Sequence, residues 1–310
     1  RGERVILTVP ASHVTGLVAI LLTTVRVAGC NILMRSFAVD EFLRLAAAER
    51  LTYTVMVPAM YNLCLLRADF DAYDLSAWRI GAYGGAPMPV ATIARLREKL
   101  PGLRLMNAYG ATETTSPTTV MPAEYTELYP DSIGKVLPCA DVRIMNDRGQ
   151  EVPPGEVGEL WIAGPMVAPG YWNDPEASEK SFVAGYWRSG DAGSIDADGF
   201  VRIHDRIKDM IIRGGYNVYS AELENVIYNC PGVTECAVVG QPDPVLGEKI
   251  HAIVYSADGS VDAARIRSFC AERVADYKVP DFVTIRLEPL PRNANGKILK
   301  AQLRAQVAGD

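Results

Sequence analysis

The stretch RIGAYGGAPMPVATIARLREKLPGLRLMNAYGATETTSP, residues 79–117, decides the fold. RIGAY (79–83) is a short apolar run and reads as a strand. A helix is predicted from Pro89 to Leu100, and LRLMNAY (103–109) reads as the next strand. Two strands joined through a helix must run parallel, because the crossover carries the chain back to the same end of the sheet. The alternation extends upstream. VILTV (5–9), NILM (31–34) and TYTVMV (52–57) read as strands, and helices are predicted over 14–27, over 39–51 and from Pro58. Asp40 is the expected N-cap of the second of these, with Phe42, Leu45 and Ala46 on one face. Proline suits the first turn of the third. The predicted class is α/β, with a doubly wound, mostly parallel sheet.

After about residue 130 the pattern changes to short strands with many turns: DVRIMNDRGQ, GEVGELWIAG and YWRSGDAGSIDADGFVRI. This predicts an antiparallel β subdomain. The DxDG at Asp196–Gly199 lacks the further acidic positions and the later glutamate of a calcium loop, so it reads as a hairpin turn. The charged string DRIKD (205–209) follows. Beyond it come a helix with Ser220 as its cap, two strands (VTECAVVGQ, KIHAIVYS), a helix (DAARIRSFCAERV) and a strand (DFVTIRL), a compact α+β unit. The expected domains are 1–207 and 208–310.

The chain has 310 residues, 49% hydrophobic and 22% charged, which suits a two-domain globular protein with a large core. Its net charge of −6 argues against nucleic acid or an anionic membrane as the main partner. The most apolar run, VTGLVAILLTTV (14–25), is too short to span a bilayer and reads as a buried helix. RGERVILTVP is not a signal peptide. The six cysteines form no CxxC pair and only three histidines are present, so a zinc site or a disulfide framework is not expected and a reducing cytoplasm fits.

Neither GxSxG, GxGxxG nor GxxxxGK[ST] occurs. Several stretches nevertheless place small and polar residues where open α/β sheets bind ligands. In YGGAPMP (83–89), Gly84 and Gly85 allow close approach of a flat ligand, or simply a strand-to-helix turn. In NAYGATETTSP (107–117), Tyr109 offers a stacking face, Thr112 a hydroxyl and Glu113 a hard oxygen ligand for Mg²⁺; a capped loop is the plainer reading. In YWRSGDAG (186–193), Asp191 could accept two hydrogen bonds from a ribose diol, or sit in an ordinary β-turn. DRIKDMIIRGGYN (205–217) reads equally as a solvated linker. In LPRNANGKILKAQLR (290–304), Lys297 follows an Asn295-Gly296 turn that would mount it rigidly, or that it merely flanks.

Taken in order, YGGAPMP, NAYGATETTSP, GELWIAGPMVAPGYWNDPEAS, YWRSGDAGSIDADGFVRIHDRIKDMIIRGGYNVYSAELE and LPRNANGKILK resemble the acyl-adenylate-forming superfamily, over essentially the whole chain. That superfamily includes acyl-CoA synthetases, peptide-synthetase adenylation domains and beetle luciferases. The resemblance implies two half-reactions: a carboxylate attacks the α-phosphate of ATP to give acyl-AMP and pyrophosphate, and a thiol, usually coenzyme A, then displaces AMP. It implies that Gly84, Gly85, Ala86, Tyr109 and Gly110 hold the adenine. Thr112 contacts phosphate, Glu113 binds Mg²⁺, and Asp191 with Arg206 takes the ribose. His13, in PASHVTGL, lines the acyl site. By the same resemblance Lys297 is expected to be the catalytic lysine, supplying a preplaced cation where charge develops on the α-phosphate. The resemblance likewise implies that Lys208 is the hinge about which the small C-terminal lid domain rotates, and that Gly214 and Gly215 line the thiol tunnel.

The sequence departs from the family in two places. Asp205-Arg206 stands where Gly-Arg is usual, which is expected to be harmless. The Ser/Thr/Gly-rich phosphate loop, upstream of the TVPASH segment in relatives, is not in this sequence, so the sequence is expected to be a piece of a longer protein. Residues 1–310 alone are expected to bind AMP or acyl-AMP at most weakly, to exchange no measurable pyrophosphate and to be prone to self-association. The RIKDMIIRGGYNVYSAELE form resembles stand-alone CoA ligases, implying an acyl-CoA synthetase for a fatty acid, with acid, ATP and CoA as its partners. Alternatives are a relative that only binds nucleotide and an adenylation domain serving a carrier protein. Tyr83 stands where relatives often have a smaller residue, and is expected to narrow the acyl site.

Overall fold

The computed structural model describes residues 2–86, 88–115, 117–293 and 297–307. Its packing divides the chain into two units: residues 1–189 with 193–203, and residues 190–192 with 204–310.

In the first unit, five parallel strands lie in the spatial order Cys30–Leu33, Arg4–Leu7, Tyr53–Met56, Ile80–Tyr83, Arg104–Tyr109. Register is fixed by pairs such as Val5↔Asn31, Val5↔Tyr53, Tyr53↔Ile80 and Ile80↔Arg104. The order runs outward one way from Arg4–Leu7 to the second strand and then the other way to the remaining three. With right-handed crossovers, that reversal must put the first connecting helix on one face and the later ones on the opposite face. The cores agree with this. Ile6, Met56, Tyr83 and Leu105 point into a cluster with Phe42, Leu43, Tyr61, Cys64, Ile93 and Leu96 from helices Val39–Ala48, Pro58–Arg67 and Val90–Lys99. Their sequence neighbours Val5, Leu7, Val55 and Ala82 point the other way, onto Ile20. Burial on both faces is why these strands read as continuous apolar runs rather than alternating ones.

The sheet does not stop at residue 109. Ala108 and Tyr109 pair antiparallel with Val120 and Thr119. From there the ladder continues through Gly134–Val136, Phe200–Arg206, Tyr186–Ile195, Gly158–Ala163 and Asp141–Met145, and Phe182–Val183 pairs beside Tyr186–Ile195, giving a sheet of twelve strands among the described residues. The antiparallel region is thus an extension of the parallel sheet. Asp196 sits in a turn as expected: its Oδ1 accepts from the N–H groups of Asp198 (3.0 Å) and Phe200 (2.9 Å), its Oδ2 pairs with Arg202, and Gly199 has φ +80°.

Three local expectations are corrected. The run 14–25 forms a helix with wide π-type turns over Thr15–Leu22, and it is not buried all round. Gly16, Ile20 and Thr24 face the sheet while Leu17, Leu22 and Val25 are exposed, so its hydrophobicity marks one packed face only. Asp40 is not a cap: the N-cap is Ala38, and Asp40 lies in the first turn, where its charge favours the helix dipole instead. Ser220 is also not the cap of its helix, which has Tyr219 in that position.

The second unit carries a five-stranded sheet among the described residues. Tyr216–Val218, Ile211–Arg213, Gly247–Tyr255 and Glu235–Asp243 lie in that order, and Phe282–Arg286 pairs parallel with Gly247–Tyr255. Helices Ser220–Tyr228 and Ala263–Ala271 cover one face, with Leu223, Ile227 and Ile266 on Cys236, Val238 and Val254. Helix Lys300–Val307 covers the other, with Leu303 and Val307 on Ala237, Val239 and Ile253. All six cysteines are free. Burial pushes the Cys64 thiol up to about 12 and the Cys270 thiol up to about 11, so neither is a nucleophile at neutral pH.

Ser220 and Lys300 tie this unit together. Asp205 Oδ2 accepts from the Ser220 N–H and hydroxyl (2.7 Å to Oγ). Lys300 Nζ donates to Ser220 Oγ (2.6 Å) and pairs with Glu224 Oε1 at 2.6 Å, and Glu224 also accepts from the Val238 N–H (2.8 Å). Burial works against the Lys300 ammonium, but Glu224 and Asp205 outweigh it and raise its pKa above the usual lysine value. Breaking such an enclosed pair strands one charge. We therefore expect Lys300→Ala to lower stability by about 2–4 kcal/mol in urea unfolding, and Lys300→Met with Glu224→Leu to recover much of that loss. A loss under about 0.5 kcal/mol for the single variant would mean that the pair behaves as a surface one.

Candidate active site

Strands that run parallel end on the same edge, so their following loops converge. Gly84, Gly85 and Ala86 leave the carboxyl end of strand Ile80–Tyr83. Tyr109, Gly110, Thr112 and Glu113 leave the adjacent strand Arg104–Tyr109. Gly84 packs on the neighbouring strand: a Cβ there would lie 2.3 Å from the Ala108 carbonyl oxygen, so no side chain fits. Gly85 adopts φ +78°, and both Gly85 and Ala86 are exposed. Tyr109 is half-buried against the cluster of Ile144, Leu160 and Val201. His13 follows strand Arg4–Leu7, the strand at which the spatial order reverses. It is half-buried, and the Thr15 N–H approaches its Nδ1 at 3.4 Å.

The loop after Tyr109 is held firmly. The buried Thr114 hydroxyl accepts from the Ala111 N–H (2.9 Å) and donates to the Ala111 carbonyl (3.1 Å). Thr115, a β-branched residue, sits at φ +58°, a conformation that such residues rarely adopt and that the loop's other contacts must enforce. Glu113 is gripped twice: its carbonyl accepts from the Ala168 N–H (2.7 Å), and its Oε1 accepts from the Tyr171 hydroxyl (2.9 Å).

Asp191, Arg206 and Lys297 all fall in the second unit. Asp191 is 3% exposed, and Arg206 Nε pairs with its Oδ1 at 2.7 Å. A carboxylate buried to that degree requires such a partner. Lys297 is exposed in surface area, yet its ammonium is crowded enough for desolvation to lower its pKa below the usual lysine value. Arg206 adds to that lowering and Asp191 opposes it. Its mount is partly visible. The Lys297 N–H donates to Asn293 Oδ1 (3.0 Å), Asn293 N–H donates to the Lys297 carbonyl (2.9 Å), and Arg292 bridges Ile298. The Asn295-Gly296 turn lies outside the described residues.

Lys208 is exposed in the turn that follows strand Phe200–Arg206, where the N–H groups of Asp209 and Met210 both donate to the Arg206 carbonyl. Asp209 pairs with Arg304 at 2.8 Å. Gly214 and Gly215 have φ +59° and +85° and connect Arg213 to its hairpin partner Tyr216. Two successive positive φ values make a primed hairpin turn, which by itself requires glycine at low cost.

Besides Ser220, Asp205 accepts from the Arg206 N–H (2.8 Å), so it anchors the residue that pairs with Asp191. Tyr83 is 2% exposed within the helix-facing core, and burial pushes its hydroxyl up to about 12. The sequence reading missed Tyr171 and Lys300. Tyr171 lies in the quoted GELWIAGPMVAPGYWNDPEAS, but nothing local links it to Glu113, 58 residues earlier.

Comparison with known proteins gives the family. The model of the AMP-binding enzyme matches residues 1–172, and that of the AMP-binding enzyme C-terminal domain matches residues 222–297. The feruloyl-CoA synthase of Amycolatopsis sp is 38% identical over 97% of this chain and 61% of its own length. The long-chain-fatty-acid–CoA ligase FadD13 of Mycobacterium tuberculosis is 37% identical over 98% of this chain and 59% of its own. The solved structure of o-succinylbenzoate coenzyme A synthetase from Bacillus subtilis, in complex with ATP and magnesium ion, superposes with a TM-score of 0.87 at 33% identity, covering 98% of this chain and 61% of that one. The chain thus spans about three fifths of the length of these relatives. With both family models matched and the doubly wound sheet in place, the chain belongs to the AMP-binding, acyl-adenylate-forming enzymes.

Proposed function

We propose that the protein to which this chain belongs is an acid–CoA ligase, which activates a carboxylic acid with ATP and passes the acyl group to coenzyme A. The observation that carries the reading is the parallel strand pair Ile80–Tyr83 and Arg104–Tyr109, which ends at one edge with Gly84 packed on the Ala108 carbonyl, with Glu113 fixed at its backbone and at one carboxylate oxygen. Gly84, Gly85, Ala86, Tyr109 and Gly110 hold the adenine, where backbone bare of side chains admits a flat ring. Asp191, already oriented by Arg206, accepts from the ribose hydroxyls. Thr112 donates to phosphate. Glu113 offers a carboxylate oxygen, the hard donor that Mg²⁺ prefers, so the donor set fits that ion. When bound, Mg²⁺ neutralises phosphate charge. His13 borders the acid.

Lys297 places its ammonium where negative charge grows as the carboxylate attacks the α-phosphate. Residues 208–310 act as a lid on the 1–207 domain and turn about Lys208. In the second half-reaction the Gly214-Gly215 hairpin lines the path of the thiol. Feruloyl-CoA and long-chain relatives at nearly equal identity support a carboxylic acid substrate, and we read it as a fatty acid. Pyrophosphate exchange and thioester assays over matched fatty and cinnamic acid panels test both levels. Turnover of cinnamic acids alone would replace the fatty acid, and no turnover of either would leave nucleotide binding without ligase activity as the reading.

Lys297→Ala should abolish acyl-AMP formation and largely spare CoA transfer from supplied acyl-AMP. Equal loss in both half-reactions would assign Lys297 a structural role. The lowered pKa of Lys297 also sets a pH dependence. The charged form is the active one, so adenylation should fall as pH rises through that pKa, at a lower pH than for an ordinary lysine. Stopped-flow adenylation profiles check this. An alkaline limb that persists unchanged in Lys297→Arg would come from another group. Lys208→Pro fixes φ and should slow thioester formation while adenylation persists; an unaltered thioester rate would move the hinge elsewhere.

A further inference from the structure

The roles above leave Tyr171 without a task, although its environment is built with care. Its hydroxyl donates to Glu113 Oε1 at 2.9 Å. Its ring meets Phe182 edge-on, with centroids 5.4 Å apart and planes at 69°. Its backbone N–H donates to Ser178 Oγ (2.8 Å), and that hydroxyl donates in turn to the Asp174 carbonyl (2.7 Å) at the start of helix Pro175–Ser181. Three residues earlier, Ala168 donates to the Glu113 backbone. One loop therefore holds both the main chain and the side chain of Glu113.

A glutamate carboxylate turns freely about its last torsion, whose rotamer wells are broad. A single donor on one oxygen removes that freedom and leaves the second oxygen in a defined direction. Partners of this kind orient metal ligands and typically change metal affinity by about 10–100-fold. We propose that Tyr171 is a positioning residue for Glu113: its hydroxyl takes Oε1, so that Oε2 is presented to the divalent cation of the ATP complex. The proposal rests on the reading of Glu113 as the cation's ligand.

Tyr171→Phe tests it, because the ring and its packing on Phe182 are kept and only the hydroxyl is lost. Mn²⁺ serves as the probe. Its binding to the protein with AMP present is followed by the electron paramagnetic resonance of free Mn²⁺, with no turnover required. Tyr171→Phe should weaken Mn²⁺ binding by about tenfold. It should also raise the Mg²⁺ concentration that half-saturates pyrophosphate exchange, leaving the KM for the acid unchanged. The melting temperature should stay within about 2 °C of the parent, as expected for loss of one half-buried hydrogen bond. Glu113→Gln separates the two levels. If Glu113→Gln weakens Mn²⁺ binding and Tyr171→Phe leaves it within twofold of the parent, the positioning role is wrong and the ligand assignment stands. If Glu113→Gln has no effect on Mn²⁺, both fall.

Discussion

The parallel pairing of strands Ile80–Tyr83 and Arg104–Tyr109, in register from Ile80↔Arg104 to Tyr83↔Asn107, is the constraint on which the first unit depends. It ends both strands at one edge, so that the loops at 84–86 and 110–115 leave the sheet at the same edge. The approach of Gly84 to the Ala108 carbonyl follows from that spacing, and no residue with a Cβ satisfies it without shifting backbone. The same strand Arg104–Tyr109 turns the sheet from parallel to antiparallel through Tyr109↔Thr119. A single element thus delivers Tyr109, supports the Glu113 loop and anchors the antiparallel strands.

The second unit is organised by charge as well as by apolar burial. Helix Lys300–Val307 packs Leu303 and Val307 onto the sheet, but its polar residues set its position: Lys300 on Glu224 and Ser220, and Arg304 on Asp209. These contacts reach both flanks of the 207–209 turn, since Ser220 also binds Asp205. The Lys297 loop enters this helix directly, so its placement inherits the rigidity of the network. Asp205 is one of the network's anchors.

Much of the fold was legible in the sequence. The apolar runs at 5–9, 52–57 and 79–83 are strands because both faces are buried, and the helical periods between them require parallel crossovers. The errors came where local pattern and packing diverge. Asp40 and Ser220 are good capping residues, but both lie inside their helices, with Ala38 and Tyr219 at the N-cap positions, and Ser220 is drawn instead to Asp205 and Lys300. The run 14–25 is apolar throughout, yet only one face of it packs.

The sequence by itself determined the order of elements and the doubly wound class. Those follow from periodicity, turn chemistry and ordered motifs, which are local properties of the chain. Only the tertiary structure decided what each side chain leans on. Glu113 is held by Tyr171 across 58 residues, and Ser220 by Lys300 across 80. Such contacts are fixed by sheet register and helix packing, and no short-range pattern in the chain encodes them.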